Sequence, residues 1–275
     1  MKIVFRFAGV IALSSALCVA QTVTEAGSMG PPACPVAGGG KASAGRSTRP
    51  TAEQIKATAE AGAADPSVLM AAEPVPNFGA ERFRLADYAQ CVGGGGCYWS
   101  DLDAQTRRAE AMLDRVIATK KVGEKLAVVL DIDETSLTNY CEMGREDYGY
   151  LPGVYEKWLG SPESGMPIEG TLRLFNKARA AGLEVFFITG RADALRKDTE
   201  RNLGLAGFKG WKGLALRVGA QQHMKTAEYK SEERQKIVNA GYRIVLNMGD
   251  QWSDLNGTAR GEMSVKLPNP FYYLP

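Results

Sequence analysis

A single histidine, His223, stands in 275 residues. That excludes chemistry relayed between two histidines, and it leaves zinc without its usual nitrogen donors. No pair of close-spaced Cys-x-x-Cys motifs makes up the lack. Surplus charge of either sign is also missing: 33 Lys+Arg stand against 31 Asp+Glu. A broad electrostatic attraction to nucleic-acid polymers or anionic membranes is therefore excluded. The apolar run at the N-terminus is too short to span a bilayer, so stable membrane insertion is not expected. There is no internal repeat. Gly40-Lys41 does not complete a phosphate-binding loop, because Pro35 stands where its first glycine belongs and Ala42 where Ser or Thr belongs.

What is present begins with Met-Lys-Ile-Val-Phe-Arg, an apolar stretch and Leu17-Cys18-Val19-Ala20. This predicts a signal peptide over 1–20, cleaved after Ala20, and hence a secreted or periplasmic protein. Losing Lys2 and Arg6 leaves 31 basic residues against 31 acidic ones, a nearly neutral mature chain. Bulky Leu17 before Cys18 disfavours lipid attachment. Four cysteines remain, Cys34, Cys91, Cys97 and Cys141. An even number in an oxidising compartment suits disulfides. Cys91 and Cys97 enclose a flexible Val-Gly-Gly-Gly-Gly loop that could close; the pairing of the four stays open, as does the alternative of free thiols.

Residues 21–50, rich in Gly, Pro, Ala and Ser, read as a flexible low-complexity linker. The remainder, 51–275, is long enough for one catalytic domain with one substantial core. Residues 51–97 are mixed in pattern and are expected at the edge of that domain. Ala109, Met112, Leu113, Val116 and Ile117 recur at helical spacing, predicting a helix from Ser100, its N-cap, to Lys121. Beyond it, apolar runs at 126–132, 183–188, 214–218 and 243–248 read as buried strands, and 168–181, 192–206 and 229–240 as helices. Such alternation implies a three-layer, Rossmann-like α/β sandwich around a mainly parallel sheet.

Ligands of such sheets sit beyond the carboxyl ends of the strands. Those ends read Asp131-Ile132-Asp133-Glu134-Thr135, Thr189-Gly190-Arg191 and Gly249-Asp250-Gln251-Trp252-Ser253-Asp254, and Lys230 lies near the start of the helix before the last of them. Packing explains an aspartate directly after the run 126–130 poorly. Asp131 and Asp250 converging at 4 Å would repel by about 4 kcal/mol at an effective dielectric near 20. A cation removes that cost, and oxygen donors without His or Cys suit Mg²⁺.

The ordered set Asp-x-Asp-x-Thr, Thr, Lys, Gly-Asp-x-x-x-Asp resembles the haloacid-dehalogenase superfamily. Tyr229-Lys230-Ser231-Glu232, the stretch from Gly241 to Leu255, and Lys266-Leu267-Pro268-Asn269-Pro270-Phe271-Tyr272-Tyr273 narrow the resemblance. They are similar to its subfamily IIIB acid phosphatases, the plant vegetative storage proteins and bacterial class C enzymes, over about 80–275. The resemblance implies a Mg²⁺-dependent acid phosphatase acting on small phosphomonoesters. Asp131 would be the nucleophile, forming an aspartyl-phosphate, and Asp133 the acid and then the base. Thr189, Gly190 and Lys230 would bind the phosphoryl group. Asp131, Asp133 through its carbonyl, and Asp250 would hold the metal, with Asp254 holding metal-bound water or positioning Lys230. The pattern around Ser231 favours Lys230 over Lys225, and Arg191 reads as a surface cation.

The superfamily's cap would correspond to 137–167, where Tyr140, Tyr148, Tyr150, Tyr155 and Trp158 offer aromatic faces for a nucleobase, pointing to nucleoside monophosphates; the same rings could equally pack a small lid. A non-catalytic storage or binding protein of the same fold is the alternative. A store has no need of Asp131 and Asp133 two residues apart. A dehalogenase would not require Asp133, and a mutase carries a larger cap. Nothing in the sequence fixes an oligomeric state.

Overall fold

The computed structural model describes residues 30–34, 50–72 and 74–274, so the leader expected at 1–20 and most of the stretch 21–50 lie outside the described residues. Helices α1 (Ala52–Ala63), α2 (Phe78–Gln90) and α3 (Tyr98–Thr119) precede strand β1 (Leu126–Leu130). Then come α4 (Tyr140–Arg145), α5 (Pro152–Leu159), α6 (Glu169–Ala180), β2 (Glu184–Ala192), α7 (Arg196–Leu205), β3 (Gly213–Arg217) and α8 (Thr226–Asn239). The chain closes with β4 (Arg243–Gly249), α9 (Trp252–Leu255) and β5 (Met263–Lys266).

The five strands are parallel, in the order β3-β2-β1-β4-β5. The three-layer α/β sandwich read from the sequence is thus the fold. Strand β1 is buried along its whole length, and its side chains alternate between the two layers as a pleated strand requires. Leu126, Val128 and Leu130 join the larger core with Leu113, Leu174, Phe175 and Phe187, while Ala127 and Val129 face Tyr229, Ile237 and Ile244. Helices α3 and α6 therefore cover one face and α8 the other. The chain adds β2 and β3 on one side of β1 and then returns to lay β4 on the other. That reversal opens a crevice at the carboxyl ends of β1 and β4.

Helix α3 starts at Tyr98 with Cys97, not Ser100, as its N-cap, because a disulfide to Cys91 fixes the entry. The stretch expected to be helical from 192 begins as strand: β2 runs on to Ala192, which pairs with Arg217, and α7 starts only at Arg196. Helix α8 begins at Thr226 rather than 229. Residues 51–97 contain two helices, and Ala52 N donates to Asp87 of α2 at 2.7 Å.

A second disulfide joins Cys34 to Cys141 in α4, with Cα atoms 5.4 Å apart. Within the expected linker, the described residues 30–34 are thus anchored at Cys34. On the chain-entropy account, a bridge spanning 107 residues contributes about 4–5 kcal/mol and the six-residue Cys91–Cys97 closure about 2. The longer bridge is the larger constraint. Among the described residues no helix is long and apolar enough to cross a membrane.

Candidate active site

Asp131 continues β1 by one residue: its N–H donates to Met248 O of β4 at 3.0 Å, so the ladder itself sets the carboxylate at the strand end. The chain then turns sharply. Ser136 Oγ donates to Asp131 O at 2.6 Å, and Thr171 Oγ1 of α6 donates to Thr135 O at 2.6 Å, tying the turn to the layer beneath. From β4, Asp250 arrives opposite, its Oδ1 accepting from Thr135 Oγ1 at 3.0 Å. Gly249 makes room for Asp254, since a Cβ there would lie 2.3 Å from the Asp254 side chain. Oxygens of Asp131, Asp250 and Asp254 all lie within 4.8 Å of one another, and all three residues are buried.

Lys230, one turn into α8, donates to Asp131 Oδ1 and Asp254 Oδ1, both at 2.5 Å. Lys225, its rival in sequence, is the N-cap of the same helix. Burial works against the ammonium, but the charges of Asp131 and Asp254 outweigh it and raise its pKa. Burial, then repulsion from Asp254, pushes the Asp131 carboxyl well up against the pull of Lys230. Asp250 is raised by the same two causes.

Arg191 is not the surface cation that its sequence context suggests. It is 5% exposed and forks onto Asp133, Nε to Oδ2 at 3.0 Å and Nη2 to Oδ1 at 2.7 Å. Burial would raise the Asp133 carboxyl, but the Arg191 charge and the hydrogen bonds from Arg191 and Asn139 more than cancel this and hold it below its ordinary value. Thr189 is buried in β2 where its pairing with β3 is interrupted between Ile188 and Ala192, and its Oγ1 accepts from Arg191 N at 3.2 Å, which leaves the hydroxyl proton free to donate; Gly190 beside it is exposed. His223 lies exposed in a 3₁₀ turn.

Four carboxylates, Asp131, Asp133, Asp250 and Asp254, thus meet two cations, Lys230 and Arg191; with all six ionised the buried cluster has a formal excess of two negative charges, and the raised Asp131 and Asp250 carboxyls reflect burial together with that excess. One divalent cation balances that count. The donors are all oxygens, so the residues present fit Mg²⁺.

Sequence reasoning missed Glu134. It is fully buried in the left-handed region, at φ 53°, where a non-glycine residue is strained. Its Oε1 accepts from Asn139 N at 2.6 Å and its Oε2 from Tyr272 Oη at 2.7 Å. The available signal was a carboxylate flanked by two site residues immediately after a buried strand. Burial first, then the Asp133 charge, pushes its pKa up to about 8. The folded protein therefore keeps a proton that the unfolded chain releases from about pH 4.5 upward, and stability falls between there and about 8 by up to roughly 1.4 kcal/mol per pH unit. In chelator, the melting temperature should decline across that window, and Glu134→Gln should make the decline shallower; an identical slope in the variant would contradict this.

The insertion between β1 and α6 leaves and returns at a bridge between Leu137 and Pro167. Four of its five aromatic rings are not open faces. Trp158, 4% exposed, donates Nε1 to Asn139 Oδ1 at 2.9 Å and so supports the residue that binds Asp133 and Glu134. Tyr140 packs edge-on against Trp99, Tyr148 stacks on Phe271, and Tyr155 is half-buried. Tyr150 is 66% exposed, edge-to-face with Tyr155, whose phenol is pushed up by burial and by the charges of Glu134 and Asp133.

Residues 51–275 match the sequence family described as HAD superfamily, subfamily IIIB (Acid phosphatase). Acid phosphatase 1 of Solanum lycopersicum is 41% identical over 152 residues, 53% of this chain and 58% of its own. Vegetative storage protein 1 of Arabidopsis thaliana is 37% identical over 150, covering 54% and 55%. The chain thus spans somewhat more than half the length of these relatives. The class C acid phosphatase from Bacillus anthracis shares the fold, with a TM-score of 0.54 and 22% identity over 64% of this chain and 79% of its own.

Proposed function

The chain belongs to subfamily IIIB of the HAD superfamily, the acid phosphatase subfamily, and from that premise we propose that it hydrolyses phosphomonoesters through a phosphoryl group carried on Asp131. The observation that carries the proposal is the juxtaposition of Asp131, Lys230, Asp250 and Asp254 at the strand-end crevice, with Asp133 two residues away on its own arginine.

In the first step an Asp131 oxygen bonds to phosphorus as the ester P–O bond breaks, and Asp133 gives its proton to the departing oxygen. In the second, Asp133 takes a proton from water as the water oxygen displaces Asp131, releasing phosphate. The Thr189 hydroxyl and the Gly190 N–H would hold phosphoryl oxygens, while Lys230 opposes the negative charge that builds on them. Asp131, the Asp133 carbonyl and Asp250 would hold Mg²⁺, with Asp254 joining through water or solely orienting Lys230. Bound Mg²⁺ would polarise the phosphoryl group as a Lewis acid. Because Arg191 depresses the Asp133 carboxyl, its proton-bearing form gains population as pH falls, which supports an acid working range.

The exposed ring of Tyr150, edge-on to Tyr155, supports a reading in which flat leaving groups, nucleoside monophosphates among them, would be met by Tyr150 and not by the buried Trp158. Export follows from the leader read at 1–20, and two disulfides among the described residues suit an oxidising compartment. Some relatives are named as storage proteins; the complete carboxylate set supports an enzyme. Phosphate release from a panel of aryl, alkyl and nucleoside monophosphates should stop with chelator and return with Mg²⁺. Folded protein that hydrolyses none of them would refute the proposal, and activity indifferent to chelator would refute its metal.

A further inference from the structure

After β5 the chain turns back across the crevice. Leu267 N donates to Gly249 O at 2.9 Å, and Pro268-Asn269-Pro270 then restricts the backbone on both sides of one amide. Asn269 Oδ1 accepts from Phe271 N at 2.8 Å and from Tyr272 N at 3.4 Å. With its oxygen so engaged, Nδ2 must point the other way, and it donates to Asp250 Oδ2 at 2.7 Å. Gln251 repeats the device: Oε1 accepts from Leu274 N at 3.0 Å and Nε2 donates to the same Asp250 Oδ2 at 2.7 Å. Thr135 holds Oδ1. A carboxylate offers about four lone-pair sites. Three are taken, two on Oδ2 and one on Oδ1, and the fourth lies on Oδ1.

We propose that Asn269 is a positioning residue for the cation: it fixes the rotation of Asp250 so that one Oδ1 lone pair is presented to the metal. The C-terminal strap is then a working part of the centre, more than a cover over it. This rests on the Proposed function's reading of Asp131 and Asp250 as metal ligands. Partners that orient a ligand typically change metal affinity by about 10- to 100-fold when removed.

The test is Mn²⁺ affinity of the full chain, read from the free-ion EPR signal, alongside the melting temperature in chelator. Asn269→Leu should weaken Mn²⁺ by about 10-fold or more with a smaller change in melting temperature. Phe271→Leu, which loosens the strap's packing against Tyr98 and Tyr148 but spares the amide, should lower the melting temperature and leave Mn²⁺ affinity within about twofold. Should the leucine variant fail to fold, Asn269→Ser keeps an acceptor for the Phe271 N–H yet is too short to reach Asp250, and must show the same loss. Unchanged affinity in the Asn269 variants, or equal weakening by Phe271→Leu, overturns the proposal. Wild-type protein that binds no Mn²⁺ would instead remove the metal reading on which it rests.

Discussion

Asp131→Asn should lower kcat for every phosphomonoester by on the order of 10⁴-fold or more, the scale seen when an enzyme loses its nucleophile. The substitution keeps the shape of the side chain and an oxygen for Lys230 to bond. It removes one negative charge from a buried cluster that formally carries two in excess. Folding should therefore be unharmed, and in chelator the melting temperature should hold or rise. Loss of activity with an intact fold is the informative combination. A variant that retains more than about 1% of wild-type kcat, far above the expected residue, would sink the covalent mechanism.

Asp133→Asn should divide substrates by leaving group. An alkyl phosphate needs a proton on the departing oxygen and should lose about 10²- to 10⁴-fold, the usual contribution of a general acid or base. p-Nitrophenolate leaves without one, so its release should survive the substitution in the first turnover. Water must then attack unaided, and the phosphorylated enzyme accumulates. The expected trace is a burst of one equivalent of nitrophenol followed by a slow steady rate. Equal losses for both esters, with no burst, would mean that Asp133 only anchors Arg191. The two-point contact with Arg191 makes that alternative concrete, because the guanidinium loses its countercharge in the variant.

The strands and their terminal carboxylates were legible in the sequence because both signals are local. Five consecutive apolar residues, Leu126 to Leu130, followed at once by Asp131 declare a buried strand ending in a polar crevice. Lys230 was legible only through the resemblance, since helical periodicity does not distinguish it from Lys225. Arg191 was misread for a different reason: its partner lies 58 residues away, and no neighbour in the sequence advertises a buried ion pair. The same holds for Asn269 and Tyr272, which reach Asp250 and Glu134 across 19 and 138 residues. Trp158 shows the converse. An aromatic ring in an insertion suggests a binding face, but its indole N–H found a buried amide, and the ring went inward with it. Strand β5 escaped because its four residues, Met-Ser-Val-Lys, are too few and too polar to form a run.

The two disulfides are nested, Cys91–Cys97 lying wholly inside the span from Cys34 to Cys141. Nesting bears on biosynthesis. As the chain emerges N-terminus first, Cys34 meets Cys91 and Cys97 before its proper partner exists. A partnership of Cys34 with Cys91 must close a loop of 57 residues, whereas Cys91 and Cys97 are six apart. With closure probability falling as the three-halves power of length, the short loop forms on the order of 30 times more readily. Early closure of that pair takes two competing thiols out of circulation. Cys34 then no longer meets Cys91 or Cys97 as competitors when Cys141 arrives with the residues that follow Asp131.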